Sequence, residues 1–162
     1  MSKVMVNTLT VIGKWKYPGD KFLYEKEILV KQTNLMGNTY FVNYIEWQGE
    51  AREKFLLQHP AAMEFLQQNT NVLLITYCLY HHFIENTFFG DRIRIEVTTR
   101  NIEKYDFVIV FRYFNVRSNT IIGEGWQKIC FSDRNTSTLC PVPQLFLDLA
   151  EPVCEYEEKS KA

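Results

Sequence analysis

The chain has 162 residues, 46% hydrophobic and 23% charged, a size and balance that predict one soluble globular domain. A formal net charge of −1 excludes the basic excess that nucleic-acid binding demands, and no apolar run approaches the roughly 18 residues of a membrane span. The N-terminal stretch has no sustained apolar run and no small-residue cleavage site, and Cys78, Cys130, Cys140 and Cys154 form neither a CxxC pair nor a histidine-flanked cluster.

These features predict a cytoplasmic protein with free or buried thiols, needing no metal and no cofactor. Aromatic residues reach 15%, a richness that suits strands and is also compatible with an apolar cavity.

Residues 1–20 read as a loose lead-in closed by Pro18-Gly19-Asp20. A strand is predicted from Lys21 to Val30, where Phe22, Tyr24 and Ile28 alternate imperfectly with charged residues. The polar run from Gln32 to Asn38 predicts a sharp change of direction, because Asn and Gly tolerate turn conformations. Val42 to His59 is the best helix in the sequence. Trp47, Ala51 and Phe55 recur every four residues as an apolar stripe, and Tyr44, Gln48 and Arg52 make a second row beside it. Glu46, Glu50 and Glu53 fall on the remaining surface. Pro60 is expected to end this helix, with a second short one from Ala61 to Gln68.

Beyond Asn69 the pattern turns to strands. Val72 to Ile84 is dense in β-branched and aromatic residues. Asp91 to Thr99 sets Ile93, Ile95 and Val97 against Arg92, Arg94 and Glu96. Asp106 to Val116 is apolar on both faces, as a covered central strand requires, and Ile121 to Ser132 forms a last long strand with Gly123 and Gly125 near its start. Residues 101–105 and 117–120 read as tight antiparallel connections. A short helix from Gln144 to Leu149 and a charged tail from Glu155 to Ala162 close the chain. One amphipathic helix and a set of long antiparallel strands predict an α+β fold in which the sheet covers the helix.

Several chemistries are excluded by what is missing. None of the five serines lies in a GxSxG elbow, and no glycine-rich phosphate loop precedes a helix. His81 and His82 are neighbours on a strand and point to opposite faces, so at most one enters a cavity. A structural role suits His59, His81 and His82 better than a metal site.

The informative segment runs from Gln32 to Glu53. Its Gly37, Asn43-Tyr44 and Glu50-Ala51-Arg52 resemble the active-site segment of the 4-hydroxybenzoyl-CoA thioesterase branch of the hotdog superfamily. There an acidic D-x-D-x-x-G loop leads to an N-Y segment and a central helix with E-A-R. Phe89-Gly90-Asp91 and the Gly123-Glu124-Gly125 to Ser132-Asp133 stretch also resemble family patterns, so the likeness spans residues 22–133. The place of the family's carboxylate is held by Asn34. An amide is neither a nucleophile nor a base near neutral pH.

That departure, together with Trp47-Gln48-Gly49, resembles the thioesterases of enediyne-type polyketide biosynthesis. The resemblance implies a hotdog fold with a core at residues 20–133 and a C-terminal extension from 134 to 162. It implies hydrolysis of an acyl-CoA or a carrier-protein-bound β-keto polyene, and a homodimer or homotetramer with sites where subunits meet. Asn34, Tyr44 and Arg52 are then the catalytic residues, with Gly37, Tyr40, Asn43 and Gln48 binding substrate. Catalysis without a classical base would rest on positioning and charge stabilisation. Three alternatives stay open: a general acyl-CoA thioesterase, for example in fatty acid synthesis; a non-catalytic acyl-binding module; and, for Arg52, a surface ion pair with Glu46 or Glu53. Glu46, Glu50 and Glu85 are candidate surrogate bases.

Overall fold

A computed structural model describes residues 15–16, 20–67 and 71–157. Most of the expected loose lead-in, with Pro18-Gly19, lies outside them, as do Asn69 and the last five residues of the expected tail; Trp15–Lys16, within that lead-in, is a short strand. The described strands are β1 (Trp15–Lys16), β2 (Phe22–Glu27), β3 (Val72–Phe83), β4 (Arg92–Arg100), β5 (Asp106–Asn115), β6 (Ile121–Asp133), β7 (Leu139–Cys140) and β8 (Tyr156–Glu157). The helices are α1 (Val42–Leu56), α2 (Pro60–Gln67) and α3 (Gln144–Ala150).

The main sheet is antiparallel in the order β2-β4-β5-β6-β3, with β7 paired to the end of β6; β1 and β8 form a separate small pair. Ile93, Ile95 and Val97 sit opposite Asn115, Tyr113 and Phe111, and all but Asn115 are fully buried. Period-two alternation thus puts one continuous apolar face across β4 and β5. Onto that face packs α1, whose Trp47, Ala51 and Phe55 are fully buried in the same core cluster. Burying a side chain such as Phe55 contributes roughly 1.5–3 kcal/mol. No helix among the described residues is long and apolar enough to cross a membrane.

Two boundaries differ from the sequence expectation. α1 ends at Leu56, not His59, and Pro60 opens α2 instead of merely closing α1. Proline lacks an N–H that the first helical turn leaves unpaired anyway, so it fits that place. The His59 ring Nδ1 accepts the Ala61 N–H at 3.1 Å and caps the new helix.

The larger correction concerns the C-terminal segment. Phe146 of α3 packs on Phe131 and Phe65, with ring centroids 4.9 and 5.1 Å away, so the extension belongs to the core. The chain then bridges to Thr99 and passes to the opposite face of the sheet. There Glu155, the first residue of the expected charged tail, is completely buried. It pairs with Arg100 and Arg112 at 2.5 Å each and accepts from Thr98 Oγ1 at 2.5 Å. Burial would raise its carboxyl pKa, but the Arg112 hydrogen bond and charge, with Thr98 and Arg100, hold it below the usual range.

Candidate active site

The loop before α1 is built by its own side chains. Residues 33 and 39 form a bridge, the Gly37 N–H donates to Asn34 O at 2.9 Å, and Gly37 takes φ +82°, a conformation glycine adopts without a Cβ penalty. The Asn34 side-chain oxygen accepts the Met36 N–H at 2.8 Å. This Asx turn engages the amide oxygen once and leaves Nδ2 with no hydrogen bond to the described residues. Asn43 fastens the loop to the helix start, since its Nδ2 donates to Gln32 O and Tyr40 O at 3.0 Å each.

Asn34, Tyr40 and Tyr44 line one pocket of about 390 Å³, together with Phe41, Phe83 and Glu85. Tyr44 is buried, and its hydroxyl lies 2.7 Å from Thr87 Oγ1, which lies 2.7 Å from Thr39 Oγ1. The Thr39 hydroxyl also lies 3.2 Å from the Thr87 carbonyl, and either oxygen of each hydroxyl pair can donate; the orientation that runs from Thr39 outwards is the one that would turn the Tyr44 O–H to the pocket. Burial raises the Tyr44 pKa against the opposing hydrogen bonds from Thr87 and Thr39, so the phenol keeps its proton. Behind it, Tyr113 donates to the Tyr44 carbonyl at 2.8 Å.

Arg52 lies elsewhere. Eight residues along α1 separate it from Tyr44, roughly 12 Å at 1.5 Å per residue. It lines a second cleft of about 420 Å³ with Leu56, Met63, Phe65, Leu74 and Arg134. The surface pairing with Glu46 or Glu53 is not what the structure has: Arg52 turns to the sheet, where Nη1 hydrogen-bonds Thr76 Oγ1 and, at 3.1 Å, Gln127 Oε1.

A polar chain joins the two places. Gln127 Nε2 donates to Gln48 Oε1 at 3.3 Å, and Gln48 Nε2 reaches Tyr80 O and His81 Nδ1, each at 3.1 Å. Arg52 can only donate and the Tyr80 carbonyl can only accept, so both amide orientations are fixed from the ends. His81 Nδ1 must then accept, which makes the ring neutral with its proton on Nε2. Burial, with His82 adding to it, lowers the His81 pKa to about 4, consistent with that tautomer. The His81 ring packs on Tyr44 at 5.4 Å and on Tyr113 at 5.0 Å.

The glycines of β6 make this approach possible. A Cβ on Gly125 would stand 2.1 Å from Gln48 Nε2 and 2.5 Å from Tyr80 O. One on Gly123 would stand 3.0 Å from His81 Nε2.

The structure therefore brings Asn34, Tyr40 and Tyr44 together, links Gln48 and Arg52 to them through side chains, and gives Gly37 and Asn43 loop-shaping contacts. Sequence reasoning missed Thr39, Thr87 and Gln127, and assigned His81 no contact with the site. The Gly-x-Gly of β6 was the one available signal of a close approach.

A sequence profile described as the thioesterase-like superfamily matches residues 28–149. Among curated proteins the search finds no match. Solved structures do match. A dynemicin thioesterase studied for polyene binding is 24% identical with a TM-score of 0.77, covering 83% of this chain and 98% of its own. A 1,4-dihydroxy-2-naphthoyl-CoA thioesterase from Synechocystis is 17% identical with a TM-score of 0.75, covering 80% and 95%. A Staphylococcus aureus protein in complex with CoA is 11% identical with a TM-score of 0.73, covering 80% and 81%. These likenesses identify the fold as a hotdog.

Proposed function

The chain belongs to the thioesterase-like superfamily and is a thioester hydrolase, and from that premise we propose that it releases a β-ketoacyl or polyene chain from an acyl carrier protein. The observation that carries this reading is the pocket that Asn34, at the place where the family pattern has a carboxylate, shares with the buried Tyr44.

A thioester carbonyl gains negative charge on oxygen in the transition state, and fixed donors aimed at it stabilise that charge by several kcal/mol. Asn34 Nδ2 and Tyr44 O–H are two such donors. Both Arg52 side-chain hydrogen bonds to the described residues run through Nη1, which leaves Nη2 as the donor for a ligand. Burial lowers the Arg52 pKa, with Glu53 opposing, yet a guanidinium stays charged at neutral pH. Its cleft offers apolar walls for a chain and a cation for a carbonyl oxygen farther along it. Assigned in this way, Asn34, Tyr44 and Arg52 are the catalytic residues, and Tyr40 and Gln48 shape the site.

The test compares hydrolysis of β-ketoacyl chains on a carrier protein with that of simple acyl-CoA. A preference for the carrier-bound chain is expected. Faster acyl-CoA hydrolysis would favour the second reading, a CoA-thioester substrate, which the likeness to the naphthoyl-CoA thioesterase supports.

A homodimer or tetramer is part of the proposal. β3 ends the sheet order and exposes Ile75, Tyr77 and Leu79, while Leu35 and Met36 project fully exposed beside the pocket. An edge strand and apolar rim of this kind invite a second copy. Light scattering would give the assembly state, and a monomer at micromolar concentration would refute this part.

A further inference from the structure

Water attacking a thioester must hand a proton to something, and neither Asn34 nor the phenol of Tyr44 takes one near neutral pH. The structure separates the three carboxylates that the sequence leaves open. Glu46 is exposed on α1 and lines neither pocket described above. Glu50 faces β2, where its Oε2 accepts from Lys26 Nζ at 2.5 Å and Tyr24 Oη at 2.7 Å. Burial would raise its pKa, but Lys26 and Tyr24 hold the carboxyl below its ordinary value, which makes it a poor proton acceptor. Asp91 is likewise engaged, with Oδ2 accepting the Phe88 N–H at 2.9 Å.

Glu85 differs in each respect. It lines the same pocket as Asn34 and Tyr44, and is the one carboxylate among that pocket's lining residues. It stands just past the end of β3, where its own N–H and that of Ile84 donate to Ile122 O at 3.1 and 3.0 Å. The backbone is thus pinned to β6, while the exposed carboxylate makes no hydrogen bond or ion pair recorded among the described residues. The other titratable groups facing it are Tyr40 and Tyr44, with His81 behind Tyr44. No lysine or arginine lines this pocket.

We propose that Glu85 is the general base of this thioesterase, supplying from the β3–β4 turn the carboxylate that position 34 lacks. The Glu85 carboxylate removes a proton from water as the water oxygen bonds to the thioester carbonyl carbon. The carbonyl electron pair moves to oxygen, facing Asn34 Nδ2 and Tyr44 O–H. Collapse of that intermediate breaks the carbon–sulfur bond, and the protonated Glu85 returns its proton to the leaving thiolate. One water is consumed, and one carboxylic acid and one thiol are formed.

The assignment rests on this pocket being the seat of hydrolysis, so the experiment carries a control for that reading. E85Q keeps the shape but cannot accept the proton. Its kcat should fall by about 10²–10⁴-fold, the usual contribution of a general base, with KM within about twofold. E85D should recover part of the rate. The acid limb of the wild-type kcat/KM profile should vanish in E85Q, and a limb that persists would belong to His81 instead. Unfolding midpoints of E85Q should match wild type. Wild-type hydrolysis that N34A abolishes but E85Q leaves within about threefold would overturn the role of Glu85 and keep the pocket. Hydrolysis insensitive to N34A, Y44F and E85Q alike would overturn both.

Discussion

Replacing Gly125 with alanine is the sharpest test of how α1 meets the sheet. The added Cβ would lie 2.1 Å from Gln48 Nε2, 2.5 Å from Tyr80 O and 3.0 Å from His81 Nδ1. Gln48 is a side chain and can retreat, but the Tyr80 carbonyl belongs to β3 and is held opposite Trp126 in the ladder. Forcing β3 and β6 apart is an overpacking problem, costing about 1–3 kcal/mol. Displacing Gln48 Nε2 also strands the Tyr80 carbonyl and Gln127 Nε2, a further loss of about 1–3 kcal/mol. The sum is about 2–6 kcal/mol, and at roughly 2–4 °C per kcal/mol for a chain of this size the midpoint should drop by at least about 4 °C. Gly123→Ala is the internal control. Its nearest contacts are 3.0 Å to His81 Nε2 and 3.2 Å to His82 O, so a smaller loss is expected. In a Gln48→Ala background the 2.1 Å contact disappears while the 2.5 Å one remains, so the cost of Gly125→Ala should shrink without vanishing. Urea unfolding with an unchanged slope would measure wild type and the four variants. A Gly125→Ala variant within about 0.5 kcal/mol of wild type, or less damaging than Gly123→Ala, would refute the reasoning.

Glu155→Gln should cost about 3–5 kcal/mol in urea unfolding, because it removes the buried carboxylate charge that Arg100 and Arg112 hold at 2.5 Å each. The folded Glu155 pKa is depressed, so its stabilisation is complete above the unfolded value and lost as pH falls through the folded one. The variant should therefore lose the part of wild-type acid sensitivity that lies below the ordinary glutamate range. His81, lowered from 6.5 to about 4, favours a native state with a neutral ring. Between those pH values the unfolded chain binds a proton that the folded one does not, so stability should decline on acidification from 6.5 to about 4, and a stability–pH curve unchanged in His81→Gln would refute this. Tyr44→Phe removes a donor from the pocket and should lower kcat by about 10²–10³-fold, whereas Thr87→Val, which breaks the hydroxyl series one step back, should lower it less. Steady-state kinetics on one thioester would rank the two.

The parts of this protein legible in the sequence are those governed by local periodicity. Trp47, Ala51 and Phe55 announced the buried stripe of α1, and Ile93, Ile95 and Val97 the inner face of β4, because burial of one face leaves a period in the chain. The turn at Asn34 to Gly37 was equally local, since its hydrogen bonds run between residues two and three apart. Contacts set by register and topology leave no such trace. Gln127 meets Gln48 across 79 positions, and Thr87 meets Tyr44 across 43. Glu155 looked like the head of a charged tail because its partners, Arg100 and Arg112, are 55 and 43 residues away.

Arg52 shows the distinction most clearly. Its place in the row with Tyr44 and Gln48 follows from helical spacing, and the sequence supplied it. The meaning of that row does not follow from spacing, because a polar stripe next to an apolar one is equally a solvated face. What decides the matter is that β6 carries glycines at 123 and 125 and a glutamine at 127, alternate positions of one strand. Gly125 admits Gln48 from the helix, Gly123 admits the His81 ring from β3, and Gln127 receives the guanidinium. The polar chain that results runs unbroken from Arg52 to the ring against which Tyr44 packs. Substitutions along it should therefore act at both ends: Gln127→Leu, far from the thioester pocket, would alter the setting of His81 and Tyr44 as well as that of Arg52.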